Sequence, residues 1–219
     1  MNILFEDQHI IVINKPSGVA TQSASIGQKD IYSEALRYRK KKKEPSEIYL
    51  VHRLDQPVSG VMVLAKSKEA AAKLSEGVNS DFTKVYEALV VGSPKVNKET
   101  LEDYLIKDSK TNLSKVVDKS VKDSKKAILS YEVVDKYHNG QATLLKIILK
   151  TGRHHQIRVQ LSHAGFPIAG DLKYASKESL EFTKENNVNR VLLCAVSNEF
   201  THPFTGERLK FSIDNDFNL

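Results

Sequence analysis

The sequence predicts an α+β fold rich in strands, and three observations carry that prediction. Apolar runs such as His9-Ile10-Ile11-Val12-Ile13-Asn14 and Val61-Met62-Val63-Leu64-Ala65 have strand length and are bounded by turn residues. Helical spacing preceded by a capping residue marks a few further segments. No internal repeat and no linker breaks the chain. One domain over residues 1–219, long enough for a substantial core, is therefore expected.

Taken in order, the strand at 9–14 leads into the turn Lys15-Pro16-Ser17-Gly18, where proline presets φ and glycine accepts positive φ. Asp30 caps a helix beginning Ile31-Tyr32-Ser33-Glu34-Ala35-Leu36 and running into the basic stretch Arg37–Lys43, with Pro45 closing the segment. That stretch is read equally as an RNA-facing patch or as a solvated helix end. After the strand at 61–65, Ser67 caps a helix over Lys68 to Val78, with Ala71, Leu74 and Val78 at helical spacing.

A β-rich segment from Tyr86 to Val91 ends at Gly92-Ser93-Pro94. Residues 107–126, rich in Lys, Asp and Ser, read as an exposed excursion. Strands at Ile128–Val134 and Ala142–Leu149 are joined through His138-Asn139-Gly140. A helix over His155–Ala164 follows, with Ile157, Leu161 and Ala164 on one face and Gly165 just past its end. Strands near Val191–Phe200 and Arg208–Ile213 complete the series.

Composition narrows the function classes. No stretch approaches the roughly 20 apolar residues that cross a bilayer, and the acidic start Met1-Asn2-Ile3-Leu4-Phe5-Glu6-Asp7 lacks a signal-peptide pattern. A cytoplasmic protein without membrane contact is the expectation. Cys194 stands alone, which excludes an intrachain disulfide and a Cys-based zinc site; its apolar neighbours point to a buried, inert thiol. Lys and Arg total 33 against 27 Asp and Glu, a net charge of +6 that permits a polyanionic partner without establishing one.

Three stretches carry chemistry. In His52-Arg53-Leu54-Asp55-Gln56-Pro57-Val58-Ser59-Gly60, extended backbone projects Arg53 and Asp55 to one side and His52 and Leu54 to the other. A cation and a carboxylate would then stand together before a turn, although a surface ion pair explains the same pattern. In Thr151-Gly152-Arg153-His154-His155-Gln156-Ile157-Arg158, a helix sets Arg158 four residues from His154 and three from His155. The adjacent histidines lack the i, i+4 spacing of helical zinc ligands, so no metal is expected. In Lys84-Val85-Tyr86-Glu87-Ala88, strand alternation puts Tyr86, Ala88 and Val90 on one face, where a tyrosine is usually a core residue.

In this order, the three stretches resemble the RluA family of RNA pseudouridine synthases. They match its His-Arg-Leu-Asp-x-x-x-Ser-Gly, Lys-x-Tyr-x-Ala and Gly-Arg-x-His-Gln-Ile-Arg patterns, the last continued by Gly165-Phe166-Pro167-Ile168-Ala169-Gly170-Asp171 and Tyr174. Asn14-Lys15-Pro16-Ser17-Gly18 and His202-Pro203-Phe204-Thr205-Gly206-Glu207 resemble further signatures, so the likeness spans nearly the whole chain. Val58 and Gln160 depart from it, where many relatives have Thr and His.

The resemblance implies a single catalytic domain with a mixed, mainly antiparallel sheet flanked by helices and a central basic RNA-binding cleft. It implies catalysis by Asp55, Tyr86 packed on the target uracil, and Arg158 as partner of Asp55. Arg53 would fill the space left by the rotated uridine, and His52, Arg153, His154, Gln156 and Lys15 are candidates for binding RNA or base. Neither metal nor cofactor is implied. Some relatives carry an N-terminal S4-type domain; here the pattern begins by Ile10, and none is expected. The partner would be structured RNA, ribosomal or transfer, with ribosomal favoured, and the enzyme a monomer. A non-catalytic RNA-binding protein on the same fold is the rival reading.

The implied reaction suits these groups. The N1–C1′ bond breaks, the uracil rotates, and C5 takes the place of N1, so no redox partner or energy source is consumed. That agrees with a sequence lacking a Rossmann fingerprint and a P-loop. Unstacking a base costs a few kcal/mol, and stacking on an aromatic returns about 1–3 kcal/mol.

Overall fold

The computed structural model describes residues 1–23, 27–78 and 80–217. Among them are eleven strands and four α-helices in an α+β architecture, with every pairing of assigned register antiparallel. The chain forms two compact units. The first joins Met1–Lys84 to Ala195–Asn215; the second holds Val85–Cys194 and Asp216–Leu219.

In the first unit, β1 (Asn2–Glu6) and β2 (Ile10–Lys15) pair, and β2 pairs in turn with β4 (Ser59–Ala65), placing Lys15 opposite Gly60. That register brings the turn after β2 and the turn before β4 to one end of the strand pair. The short β3 (Tyr49–Leu50) joins the far end of β4. Strand β4 is buried throughout and β2 at every position but Asn14, as their apolar runs require. Helix α1 (Ile31–Lys41) starts at Asp30, whose Oδ1 accepts from the Ser33 amide at 2.6 Å. Helix α2 (Lys68–Gly77) starts at Ser67, whose Oγ accepts from the Ala70 amide at 3.1 Å. Both caps fall where the sequence places them.

The basic run at the end of α1 divides. Arg39 is buried and donates to the Glu47 and Lys66 carbonyls, and Lys42 pairs with Glu6 at 3.0 Å. Lys40, Lys41 and Lys43 remain exposed. The run is thus neither wholly a patch nor wholly a solvated end.

Strand β5 (Thr83–Val91) leaves this unit after Lys84, and β10 (Leu193–Thr201) returns to it at Ala195 to pair with β11 (Arg208–Ser212). Phe200, Leu209, Phe211 and Ile213 pack on Ile10, Val12, Val61 and Val63. A Cβ on Gly60, at φ +125°, would sit 2.3 Å from the Ala195 carbonyl oxygen, so the start of β4 admits no side chain there.

In the second unit β6 (Lys98–Asp108), β7 (Leu113–Val117), β8 (Lys125–Tyr137) and β9 (Ala142–Leu149) form an antiparallel sheet in the order β7-β6-β8-β9. The stretch 107–126 is mostly exposed, as expected, but it carries strand β7 and the ends of β6 and β8. Its outward positions are polar, so the period-2 signal is faint, while Leu105, Ser114 and Ala127 face inward. Helix α3 (Gln156–His163) packs on β6 and β7, and α4 (Lys177–Glu185) opens with a capping box between Ser176 and Ser179. Cys194 is buried, as expected.

Candidate active site

Asp55 lies on a turn fixed from both sides. Val58 donates its amide to the Asp55 carbonyl at 3.0 Å, closing the turn on itself. Behind Asp55, the Thr21 hydroxyl donates to the Leu54 carbonyl at 2.8 Å and accepts from the Leu54 amide at 3.2 Å. Ahead of it, the Gly18 amide and the Gln56 carbonyl meet at 2.9 Å, Gln56 Nε2 returns a bond to the Gly18 carbonyl at 3.0 Å, and Ser17 Oγ donates to the Pro57 carbonyl at 2.8 Å. The turn after β2 and the Asp55 turn are thus stitched into one block.

Side chains alternate along 52–55 as extended backbone dictates. Leu54 is buried, while Arg53 is exposed and Asp55 partly exposed. His52 faces inward: Nε2 accepts from the Val63 amide at 3.2 Å and the ring meets Phe82 edge-on at 6.0 Å. Desolvation, and after it the Lys84 charge, lowers its pKa to about 3, leaving the neutral imidazole that such an acceptor requires. His52, a candidate RNA contact from the sequence, also pins this segment to β4.

Lys15 also departs from expectation. It is fully buried, and Nζ donates to the carbonyls of Val19 at 2.7 Å, Pro16 at 3.0 Å and Gln56 at 3.3 Å. Burial pulls its pKa down to about 8, with Asp55 opposing the shift. An ammonium so enclosed has no face for an RNA phosphate. Nothing in the sequence marks this burial, because a lysine beside a Pro-Gly turn is ordinarily solvated.

In the second unit, Tyr86 is buried on β5 and shares its face with Ala88 and Val90, as alternation requires. Arg158, on α3, is buried and held by Asp171 in a two-pronged ion pair, Nε to Oδ2 and Nη2 to Oδ1, both at 2.7 Å. Asp171 follows Gly170, where φ is +79° and a Cβ would lie 1.8 Å from the Arg190 carbonyl oxygen. The glycine allows the close approach that sets Asp171 in place. Asp171 was visible in the sequence as part of a signature, but its pairing with Arg158 was not.

The histidines form a scaffold around this pair. His154 and His155 stack with ring centres 3.8 Å apart, and His155, at φ 53°, caps α3 in the left-handed region. His155 Nδ1 meets the Tyr174 hydroxyl at 2.8 Å, and that oxygen accepts from the Ser114 amide at 2.8 Å. Ser114 Oγ reaches His154 Nδ1 at 2.9 Å and the His154 carbonyl at 2.8 Å. The Arg158 guanidinium carbon lies 5.2 Å from the centre of the Tyr174 ring.

Arg153 is exposed, with Nε donating to the Lys126 carbonyl at 2.9 Å. Gln156 is buried, and its Oε1 accepts from Thr151 Oγ1 at 2.8 Å and the Arg153 amide at 3.0 Å. Its Nε2 has no hydrogen-bond partner among the described residues. Those residues also contain no group of His, Cys, Asp and Glu side chains arranged to hold a metal ion.

Residues 9–163 match the family model described as RNA pseudouridylate synthase. The chain is 37% identical over 218 residues to the ribosomal large subunit pseudouridine synthase C of Haemophilus influenzae, covering 99% of this chain and 66% of that protein. It is 36% identical to the protein of the same name from Escherichia coli K12, covering 99% and 67%. It thus spans about two thirds of the length of these relatives. Among solved structures, human RNA pseudouridylate synthase domain containing 4 superposes with a TM-score of 0.79 at 25% identity, covering 98% of this chain and 88% of that one. Motif order, fold and comparisons agree, and the chain belongs to the RNA pseudouridylate synthase family.

Proposed function

We propose that this protein isomerises uridine to pseudouridine in ribosomal RNA of the large subunit, with Asp55 as the reacting carboxylate. The observation that carries the reading is a partly exposed carboxylate on a turn immobilised from both sides, in a chain matching the family model over residues 9–163. A reacting group must be held within a fraction of an ångström of its productive position, and the hydrogen bonds around Asp55 are of the kind that does so. The names of the relatives favour ribosomal over transfer RNA.

In this reading the target base leaves its stack, and Tyr86 packs on the uracil. Arg53, exposed next to the turn, fills the vacated space. Arg158 is the cation that favours the ionised carboxylate, and Arg153 and His154 contact the RNA. The N1–C1′ bond breaks and a C5–C1′ bond forms; the proton lost from C5 goes to solvent and N1 is protonated. The product is an isomer, so the reaction consumes nothing.

Pseudouridine mapping of total RNA from cells lacking the gene, rescued by wild type or Asp55→Ala, tests this reading. A large-subunit site lost in the knockout and restored by wild type alone is the expected result. A lost site in transfer RNA would redirect the substrate, and rescue by Asp55→Ala would remove Asp55 from the chemistry. Arg158→Ala is expected to lower turnover more than RNA affinity, measured by tritium release and filter binding; equal losses would argue against its role.

A further inference from the structure

A buried lysine and a buried threonine hydroxyl are both bonded to the segment that carries Asp55. Resting on the reading of Asp55 as the reacting carboxylate, we propose that Lys15 and Thr21 are positioning residues, which fix the direction of that carboxylate from opposite sides of its turn. Neither was placed there by the sequence, which offered Lys15 as an RNA contact and was silent on Thr21.

Their geometry separates them from ordinary core residues. Thr21, 4% exposed, uses one oxygen to satisfy both main-chain groups of Leu54, the residue before Asp55. A hydroxyl that both donates and accepts can do this, and a methyl cannot. Lys15 uses three N–H groups on three carbonyls, two from the turn after β2 and one from Gln56, the residue after Asp55. The bracketed residue is therefore Asp55 itself, with both of its chain neighbours held.

A neutral group could cross-link two turns at less cost than a buried ammonium. What the charge adds is a field at Asp55, the group that opposes the downward shift of Lys15. Of the turns that close around Lys15, residues 16–19 carry no titratable side chain and residues 55–58 carry Asp55. Protonated Lys15 therefore both holds the turn and favours the ionised carboxylate beside it. With its pKa near 8, that contribution is lost within an accessible pH range.

The test uses a large-subunit ribosomal RNA transcript labelled with tritium at uridine C5, read by tritium release under single turnover, with RNA affinity from filter binding. Thr21→Val, nearly isosteric, is expected to lower the rate by about 10- to 100-fold, the scale of a misplaced reacting group, while affinity stays within about twofold. Thr21→Ser keeps the hydroxyl and should recover most of the rate. Wild-type turnover should fall as pH rises through about 8, and Lys15→Met should be slower and lack that limb.

A wild-type rate for Thr21→Val, a Thr21→Ser variant as slow as Thr21→Val, or an equal loss of affinity and rate would each overturn the role of Thr21. Persistence of the alkaline limb in a folded Lys15→Met protein would overturn that of Lys15. Asp55→Asn in the same assay separates the two levels. If it is inactive while Thr21→Val is normal, positioning alone fails; if it turns over, the reading of Asp55 fails.

Discussion

The segment bearing Asp55 and the helix bearing Arg158 are immobilised by different means. Around Asp55 the work falls to main-chain amides and carbonyls, two hydroxyls, one side-chain amide and one buried ammonium. Around Arg158 it falls to a buried ion pair backed by Tyr174. Bonds between neutral groups contribute about 1 kcal/mol each and can be lost singly. A buried ion pair is unforgiving, because removing one member strands the other. The first arrangement holds the backbone on either side of its carboxylate, and the second keeps its guanidinium in one orientation.

The largest expected effect follows from that contrast. Asp171→Ala removes one member of a buried ion pair and should cost about 3–5 kcal/mol, whereas Asp55→Ala at a partly exposed turn should cost less than about 1 kcal/mol. Thermal melts of the two variants side by side would break the comparison if the losses were equal.

The next effect is one of pH. Lys15 titrates near 8 in the folded protein against an ordinary value of 10.5, so the unfolded chain holds more protons in between. Its contribution to stability is unfavourable below pH 8 and is relieved as pH rises towards 10.5, by at most about 3 kcal/mol. Lys84, also drawn down to about 8 by burial, acts over the same window with the same sign. Urea titrations from pH 8 to 10.5 should show a shallower rise for Lys15→Met than for wild type. Activity and stability would then run in opposite directions with pH, since turnover needs the ammonium that the fold disfavours.

A smaller effect sharpens the account of the Asp55 segment. Asp30 caps α1 through Oδ1 and holds the Ser23 amide through Oδ2 at 2.9 Å, while the Ile31 and Tyr32 amides bond the carbonyls of Ala20 and Thr21. The helix start and the Thr21 clamp are one structure. Asp30→Ala should cost about 1 kcal/mol and lower turnover further than the helix content lost, compared by circular dichroism and tritium release. The smallest effect on stability, within about 0.5 kcal/mol, is expected for Glu at Lys40, Lys41 and Lys43. If these residues meet RNA, that variant flattens the salt dependence of binding; an unchanged slope makes them a solvated face.

What could be read from the sequence was what local chemistry decides. Asp30 and Ser67 cap the helices they precede, and the alternation of 52–55 turns Arg53 and Asp55 outward. The period of the backbone and the reach of a short side chain suffice for both. Strands β1, β6 and β7 and helix α4 escape a reading of the sequence because their outer faces are polar and their inward apolar positions few. The fates of Lys15 and His52 depend on loops and strands brought together by the β2–β4 register. Asp171 meets Arg158 through a glycine whose missing Cβ matters only against the Arg190 carbonyl. Such relations are properties of the folded chain, and no spacing encodes them.

The return of the chain at Ala195 has a consequence for biosynthesis. The unit holding Asp55 is not complete until β10 and β11 are made, since Phe200, Leu209 and Phe211 fill its core and Asn198 Nδ2 bonds the Val61 carbonyl at 2.7 Å. Domains usually mature in the order in which the ribosome delivers them. Here Met1–Lys84 waits for β10 and β11, while strands β6 to β9, made in between, are already available. The surroundings of Asp55 are thus assembled only after β10 and β11 have been made, and a nascent chain halted before residue 195 carries Asp55 without the strands that shape them.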